Sequence, residues 1–264
     1  MANAKTFGIV SIKGGVGKTT TTASLGGSLA EDFHKKVLIV DANLGVPNLG
    51  FHFSEIFPDT PLSEVLNGKV DIKDAIIEWD CRVHLLLTLL SEEHTDLSRL
   101  REKLEAVMHE YDFILLDSSP ALSPELIHVM KASDELIVVT SLDYPTTGAS
   151  LKLLNLASEL KIPVRGIVIN KVRGKHFEID MQNIMDALRS DILSAVPDDD
   201  EVLEALYNKY PATIYNPCSK AAIRFREVAA LLADQSFSVP AWDKLKNRAF
   251  KGMRRRRLRK RFGH

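Results

Sequence analysis

A mostly parallel α/β sheet flanked by helices is the fold this 264-residue sequence predicts, and three observations predict it. Short β-branched or leucine-rich runs alternate with helix-length amphipathic stretches. The runs are apolar on both faces, as in strands covered by helices on both sides. Most of them end at small or polar residues that bear chemistry. The runs are Thr6–Val10, Val37–Val40, Phe113–Leu116, Leu136–Val139 and Ile167–Ile169, with a shorter one at Ile192–Val196. Between them helices are predicted over Lys18–Asp32, Leu97–Glu110, Pro124–Lys131, Thr147–Leu160 and Phe177–Arg189, with a last one near Ser219–Ala233. No repeat of 20–50 residues interrupts this order.

The charge is unevenly distributed. The net formal charge of −1 hides a segment, residues 241–264, with 11 Lys/Arg and one acid (+10); the first 240 residues hold 23 basic against 34 acidic side chains (−11). An acidic globular body with a basic arm is expected, divided into domains 1–238 and 239–264. The longest near-apolar run, Val83–Leu90, is far short of the roughly 18 residues of a membrane span. The N-terminal Met1-Ala2-Asn3-Ala4-Lys5 carries neither a signal-peptide core nor a myristoylation glycine, which points to a cytoplasmic protein. Cys81 and Cys218 form no CxxC, and the eight histidines show no ligand spacing, so no structural metal framework is expected.

In open α/β sheets ligands bind where strands end. After the first run comes Ser11-Ile12-Lys13-Gly14-Gly15-Val16-Gly17-Lys18-Thr19-Thr20, leading into a helix. The glycines leave backbone N–H groups free to surround a phosphate, and the helix N-terminus adds its positive end. Lys18 bridges outer phosphates and the Thr19 hydroxyl stands where such loops ligate Mg2+. This makes the body a single P-loop NTPase domain. The ordinary motif would place a glycine at Ile12; a second lysine, Lys13, opens the loop instead. That K-G-G-x-G-K-[ST] form resembles the deviant Walker A loop of the ParA/MinD family of dimerising ATPases, closest to MinD-type proteins. The resemblance covers about residues 5–235. It implies ATP and Mg2+ as cofactors and an ATP-dependent homodimer. Lys13 then reaches the partner's phosphates, Lys18 serves its own chain's nucleotide, Thr20 contacts the inner phosphates, and Gly14 to Gly17, Val16 included, form the cradle.

Three further strand ends carry the resemblance. Asp41-Ala42-Asn43-Leu44-Gly45-Val46-Pro47-Asn48-Leu49 is similar to the family's first switch, D-x-D-x-G-x-x-N-L. Asp41 can hold Mg2+ or its waters or orient the attacking water. The family usually has a second aspartate at position 43, tied to hydrolysis. Asn43 can hydrogen-bond a water but cannot take its proton, which implies slow hydrolysis. Asp117-Ser118-Ser119-Pro120-Ala121 follows four apolar residues as a Walker B carboxylate does, and resembles the second switch. Asn170-Lys171 and the loop Pro197-Asp198 match the family's adenine-reading asparagine and base-lining loop. Asn170 could pair with adenine N6 and N7, or it could cap a helix or turn. The run Asp198–Glu201 reads as a solvated helix start. Pro211–Ala222 is similar to the last strand and loop of MinD-type proteins.

Beyond Pro240, Trp242, Leu245, Ala249 and Met253 recur at helical spacing with Phe250 at the margin, and Lys244, Lys246, Arg248 and Lys251 lie on the other faces. This predicts a basic amphipathic C-terminal helix of the kind that lies on a membrane, continued by Arg254, Arg255, Arg256 and Arg257. The same arginines would neutralise nucleic-acid phosphates, and a packed helix with a solvated tail is the third alternative. The expected partners are therefore an anionic membrane surface or DNA, together with an activating protein. Relatives that carry metal clusters use paired cysteines, and tyrosine-kinase relatives carry tyrosine-rich tails; residues 241–264 contain no tyrosine.

Overall fold

The computed structural model describes residues 4–90 and 95–238. The chain begins β1 (Lys5–Val10), α1 (Lys18–Phe33), β2 (Val37–Ala42), α2 (Leu62–Leu66), α3 (Ile72–Ala75), β3 (Ile77–Asp80), β4 (Val83–Leu86), α4 (Leu100–Glu105), β5 (Phe113–Ser118). It continues α5 (Pro124–Ala132), β6 (Glu135–Thr140), α6 (Tyr144–Glu159), β7 (Val164–Val172), α7 (Met181–Leu188), β8 (Ile192–Pro197), α8 (Asp200–Tyr207), α9 (Ala212–Tyr215), α10 (Lys220–Leu232). The strands form one eight-stranded sheet in the order β3-β4-β2-β5-β1-β6-β7-β8. Every pair is parallel except β3–β4.

The side chains explain this arrangement. β2 and β5 are buried along their whole length, as the unbroken apolar runs require. One core face collects Phe7, Leu25, Leu29, Ile39, Leu115 and Phe225 beneath α1 and α10. The opposite face packs α2, α4 and α5 through Leu62, Leu100, Leu104 and Val129 around Leu38 and Ile114. With β1 central and β5 and β6 on either side, the carboxyl ends of β1, β2, β5 and β7 open on one edge, where the sequence places its motifs.

All six predicted strands form, and the ends of several helices move. The helix expected over Leu97–Glu110 is three pieces: a 3₁₀ turn Leu97–Arg99, α4, and a second 3₁₀ turn Met108–Glu110. The carbonyl of Met108 accepts the N–H of Ala4 at 3.0 Å, so the last turn is drawn off the helical ladder toward the entry of β1. α7 starts at Met181 rather than Phe177, where the Asp180 carboxylate accepts the Gln182 N–H. α6 starts three residues early, because Asp143 caps it by accepting the Thr146 N–H at 2.9 Å ahead of Pro145. The last strand that the resemblance placed within Pro211–Ala222 is instead the helical turn α9: the Pro211 carbonyl accepts from Ile214 and Tyr215. β8 therefore remains the sheet edge. The hairpin β3–β4 was not predicted; its second strand lies in the Val83–Leu90 run. The amphipathic helix expected beyond Pro240, with Trp242, Leu245, Phe250, Met253 and Arg254 to Arg257, lies outside the described residues.

Candidate nucleotide site

The loop after β1 climbs through residues whose backbone only glycine adopts easily. Gly15 and Gly17 have φ of 76° and 97°, and a Cβ at position 17 would run into Asn170 Nδ2. Gly17 is also the cap residue of α1, whose first turn receives no side-chain hydrogen bond. Its N–H groups therefore face a cleft of ≈ 610 Å³ lined by Gly14, Gly15, Gly17, Lys18, Thr19 and Thr20. An uncapped helix start inside a glycine cradle is an anion site.

The charges around it are buried and only partly compensated. Lys18 is 7% exposed, and burial pushes its ammonium below the ordinary lysine range while Asp117 pulls it back up. Asp41 and Asp117 are register partners on the adjacent strands β2 and β5, and both are almost fully buried. Burial first, and then the neighbouring Asp117, drive the Asp41 carboxyl well above the usual range. Burial raises Asp117 too, against the opposing pull of the Thr19 hydroxyl, Lys18 and Thr22. The Thr22 hydroxyl donates to Asp117 Oδ1 at 3.4 Å, while Asp117 Oδ2 has no hydrogen-bond partner. Paired buried carboxylates with an orphaned oxygen, beside a threonine hydroxyl at the phosphate loop, suit a hard divalent cation with oxygen ligands. Mg-ATP thus fits what this edge lacks. Thr19, Asp117 and Asp41 are the groups that would hold the metal directly or through water, and the cation would neutralise charge developing on the transferred phosphoryl.

Asn43, Asn170, Pro197 and Asp198 also line the cleft. Asn170 donates through Nδ2 to the Val16 carbonyl at 2.7 Å, and Lys171 Nζ donates to the Gly15 carbonyl at 2.7 Å. Consecutive side chains at the end of β7 thus hold consecutive carbonyls of the phosphate loop. The bond to Val16 uses one of the two Nδ2 hydrogens of Asn170; the second, with the Oδ1 acceptor, is left for a base. Val16 is buried, presenting its carbonyl to Asn170. Asp198 is paired with Arg173 at 2.8 Å. Lys13 is exposed and does not line the cleft. Its charge reaches Asp143, whose carboxyl is held low against burial by hydrogen bonds from Ser141 and Thr146 and then by Lys13.

Sequence reasoning missed the far wall: Val202, Leu203, Leu206 and Tyr207 on α8, with Phe51 and His52 on a turn packed against it. The doublets Val202-Leu203 and Leu206-Tyr207, one turn apart after the Pro-acidic loop, were the available signal.

A family model described as AAA domain matches residues 4–164. An uncharacterized ATP-binding protein of Methanocaldococcus jannaschii is 31% identical over 228 residues, 85% of this chain and 86% of its own. The septum site-determining protein MinD of Bacillus subtilis is 27% identical over 86% of this chain and 88% of its own. Among solved structures, the cell division ATPase MinD of Pyrococcus furiosus superposes with a TM-score of 0.83 at 29% identity, covering 88% of this chain and 99% of that one. MinD of Pyrococcus horikoshii complexed with Mg-ADP gives 0.82 at 28%, covering 87% and 96%. Fold and site together define an ATP-hydrolysing P-loop domain that uses ATP and Mg2+. The chain belongs to the ParA/MinD family of deviant Walker A ATPases and is similar in structure to its MinD-type members.

Proposed function

We propose that the protein is a MinD-like ATPase that dimerises on ATP, associates through residues 239–264 with the cytoplasmic face of the membrane and positions a cellular structure such as a division site or surface machinery. One observation carries the reading: the loop holds two lysines, one buried and one exposed. Lys18 is buried beside Asp117, whereas Lys13 is exposed, outside the lining of its own cleft, and available to a second nucleotide across a dimer. Lys18 and the glycine cradle bind the phosphates. Asp41 orients the attacking water, Asp117 fixes the metal side, and Asn43, lacking a carboxylate, leaves hydrolysis slow and the ATP state long-lived.

The +10 arm supplies the anchor. Each basic residue near an anionic leaflet is worth at most about 1 kcal/mol, so one arm binds reversibly and a dimer presenting two gains by avidity. Among the described residues no helix is long and apolar enough to cross a membrane. A second reading, a ParA-like ATPase that partitions DNA or protein cargo, is favoured by the run Arg254 to Arg257, which suits nucleic-acid phosphates. Flotation with anionic liposomes, with and without ATP and with competing duplex DNA, separates the two. The membrane reading expects ATP-dependent recovery that DNA does not remove and that disappears on deleting residues 241–264. Recovery competed away by DNA transfers the arm to the second reading.

A further inference from the structure

The first-switch segment offers no carboxylate at position 43, and the hydrogen bonds show what the amide does instead. Asn43 is 5% exposed. Its Nδ2 donates to the Val46 carbonyl at 2.5 Å, and its Oδ1 accepts the Val46 N–H at 3.3 Å, so one side chain grips both ends of one residue. Asn48 Nδ2 donates to the same carbonyl at 3.0 Å. Asp41 closes the base of the loop, accepting the Asn43 N–H and the Leu49 N–H, both at 3.1 Å. Beyond the loop the segment is equally fixed. Leu49 and Phe53 are fully buried, Trp79 Nε1 donates to the Phe53 carbonyl at 2.7 Å, and Ser54 Oγ donates to the Lys209 carbonyl at 3.3 Å. At Gly50 the chain passes so close to the Glu55 carbonyl that a Cβ would collide with it.

Only a side chain with both a donor and an acceptor can make the Asn43–Val46 pairing. A carboxylate could keep the bond from the Val46 N–H, but it would set two acceptor oxygens against the Val46 carbonyl and leave that carbonyl relying on Asn48. We propose that Asn43 is a positioning residue that acts through Val46: it holds the 43–48 loop closed as a preformed wall of the nucleotide cleft, and an aspartate at 43 opens the loop. This rests on the ATPase reading of the cleft and adds that the slow site is a built arrangement, not merely a missing carboxylate.

The test is hydrogen–deuterium exchange of peptides spanning residues 43–49, together with kcat and KM for Mg-ATP, on the full-length wild type, Asn43→Asp and Asn48→Ala. The proposal expects slow exchange in the wild type with or without ATP. Asn43→Asp speeds exchange of these amides at least tenfold and raises KM at least fivefold. Asn48→Ala, which removes only the second donor to Val46, speeds exchange about threefold and confines the change to the loop. Wild-type exchange in Asn43→Asp with a kcat raised tenfold would overturn the proposal and make Asn43 a simple vacancy for a catalytic carboxylate. If Asn43→Asp does not fold, Asn48→Ala decides: unchanged exchange at 43–49 overturns the loop clamp. Calorimetry of Mg-ATP on the wild type separates the two levels, since absent binding defeats the ATPase reading while loop exchange is measured without nucleotide.

Discussion

The two ends of α1 hold two charge clusters with opposite designs. They lie 14 residues apart, about 21 Å along the helix. At the far end Arg226 makes a bidentate pair with Asp32, Nε to Oδ2 at 2.9 Å and Nη2 to Oδ1 at 2.7 Å, and Nη1 donates to the Pro217 carbonyl at 2.9 Å. Ser28 donates to the same Asp32, and the guanidinium stacks 4.6 Å from the Phe237 ring, which meets Phe33 edge-on. Opposite charges are matched there and their hydrogen bonds made. At the near end an ammonium depressed by burial faces Asp117, both Asp117 and Asp41 are raised by burial and Asp41 further by Asp117, one oxygen has no partner, and the helix start has no side-chain cap. The contrast teaches that α1 is fastened at one end and left electrostatically incomplete at the other. The incomplete end is where a ligand gains most, because the fold has already borne the desolvation.

The comparison can be broken most sharply at Lys18. Lys18→Ala is expected to weaken ATP binding on the order of 100-fold by calorimetry, since a charge-assisted phosphate contact is worth about 3 kcal/mol, while leaving the melting temperature of the nucleotide-free protein unchanged or higher. Arg226→Ala should show the reverse. Leaving Asp32 unpaired costs about 3 kcal/mol in a denaturant melt, with ATP affinity per folded molecule the same as wild type. A binding defect in Arg226→Ala, or a large stability loss in Lys18→Ala, would erase the distinction between the two ends.

Asp117→Asn sharpens it. Removing one of two facing buried carboxylates should stabilise the nucleotide-free protein by about 1 kcal/mol and reduce the Mg2+ enhancement of ATP binding at least tenfold. An Asp117→Asn protein that loses stability and keeps its Mg2+ dependence would place the carboxylate in the fold rather than the site. The smallest effect concerns His52, which lines the cleft but behaves as core. It is 5% exposed, and burial lowers its pKa from 6.5 to about 4. Between those values the unfolded chain binds a proton that the folded one does not, so the contribution of His52 to stability is complete above pH 6.5 and falls away as the pH drops toward 4. Between pH 7 and 5.5 the loss is about 1 kcal/mol, and His52→Asn should flatten it in melts across that range.

What the sequence showed follows from how local each feature is. The phosphate loop, the Asp41 and Asp117 strand ends and six strands are spelled out by contiguous residues with one dominant period or motif, and all lie where those patterns put them. The pairing of β2 with β5, which turns two separate strand-end aspartates into one carboxylate pair, spans 76 residues and is visible only in three dimensions. Likewise the wall from α8 and Phe51 comes from segments about 150 residues apart. Asn170 shows the limit of type-based reading. Its amide suited a base or a turn cap, and the bond it makes to the Val16 carbonyl, 154 residues away in sequence, is announced by no local pattern. The 97–110 helix failed for a similar reason: its apolar spacing is helical throughout, and a long-range bond from Ala4 decides where the last turn ends.

The central claim is that the near end of α1 is an incomplete site finished by Mg-ATP. Thermal melts of wild type and Lys18→Ala, each with and without saturating Mg-ATP, test it most directly. The account predicts that Mg-ATP raises the wild-type melting temperature by several degrees, about 3 kcal/mol of binding linkage at 100 times Kd, and leaves Lys18→Ala unmoved. An equal rise in both proteins, or none in either, would contradict it.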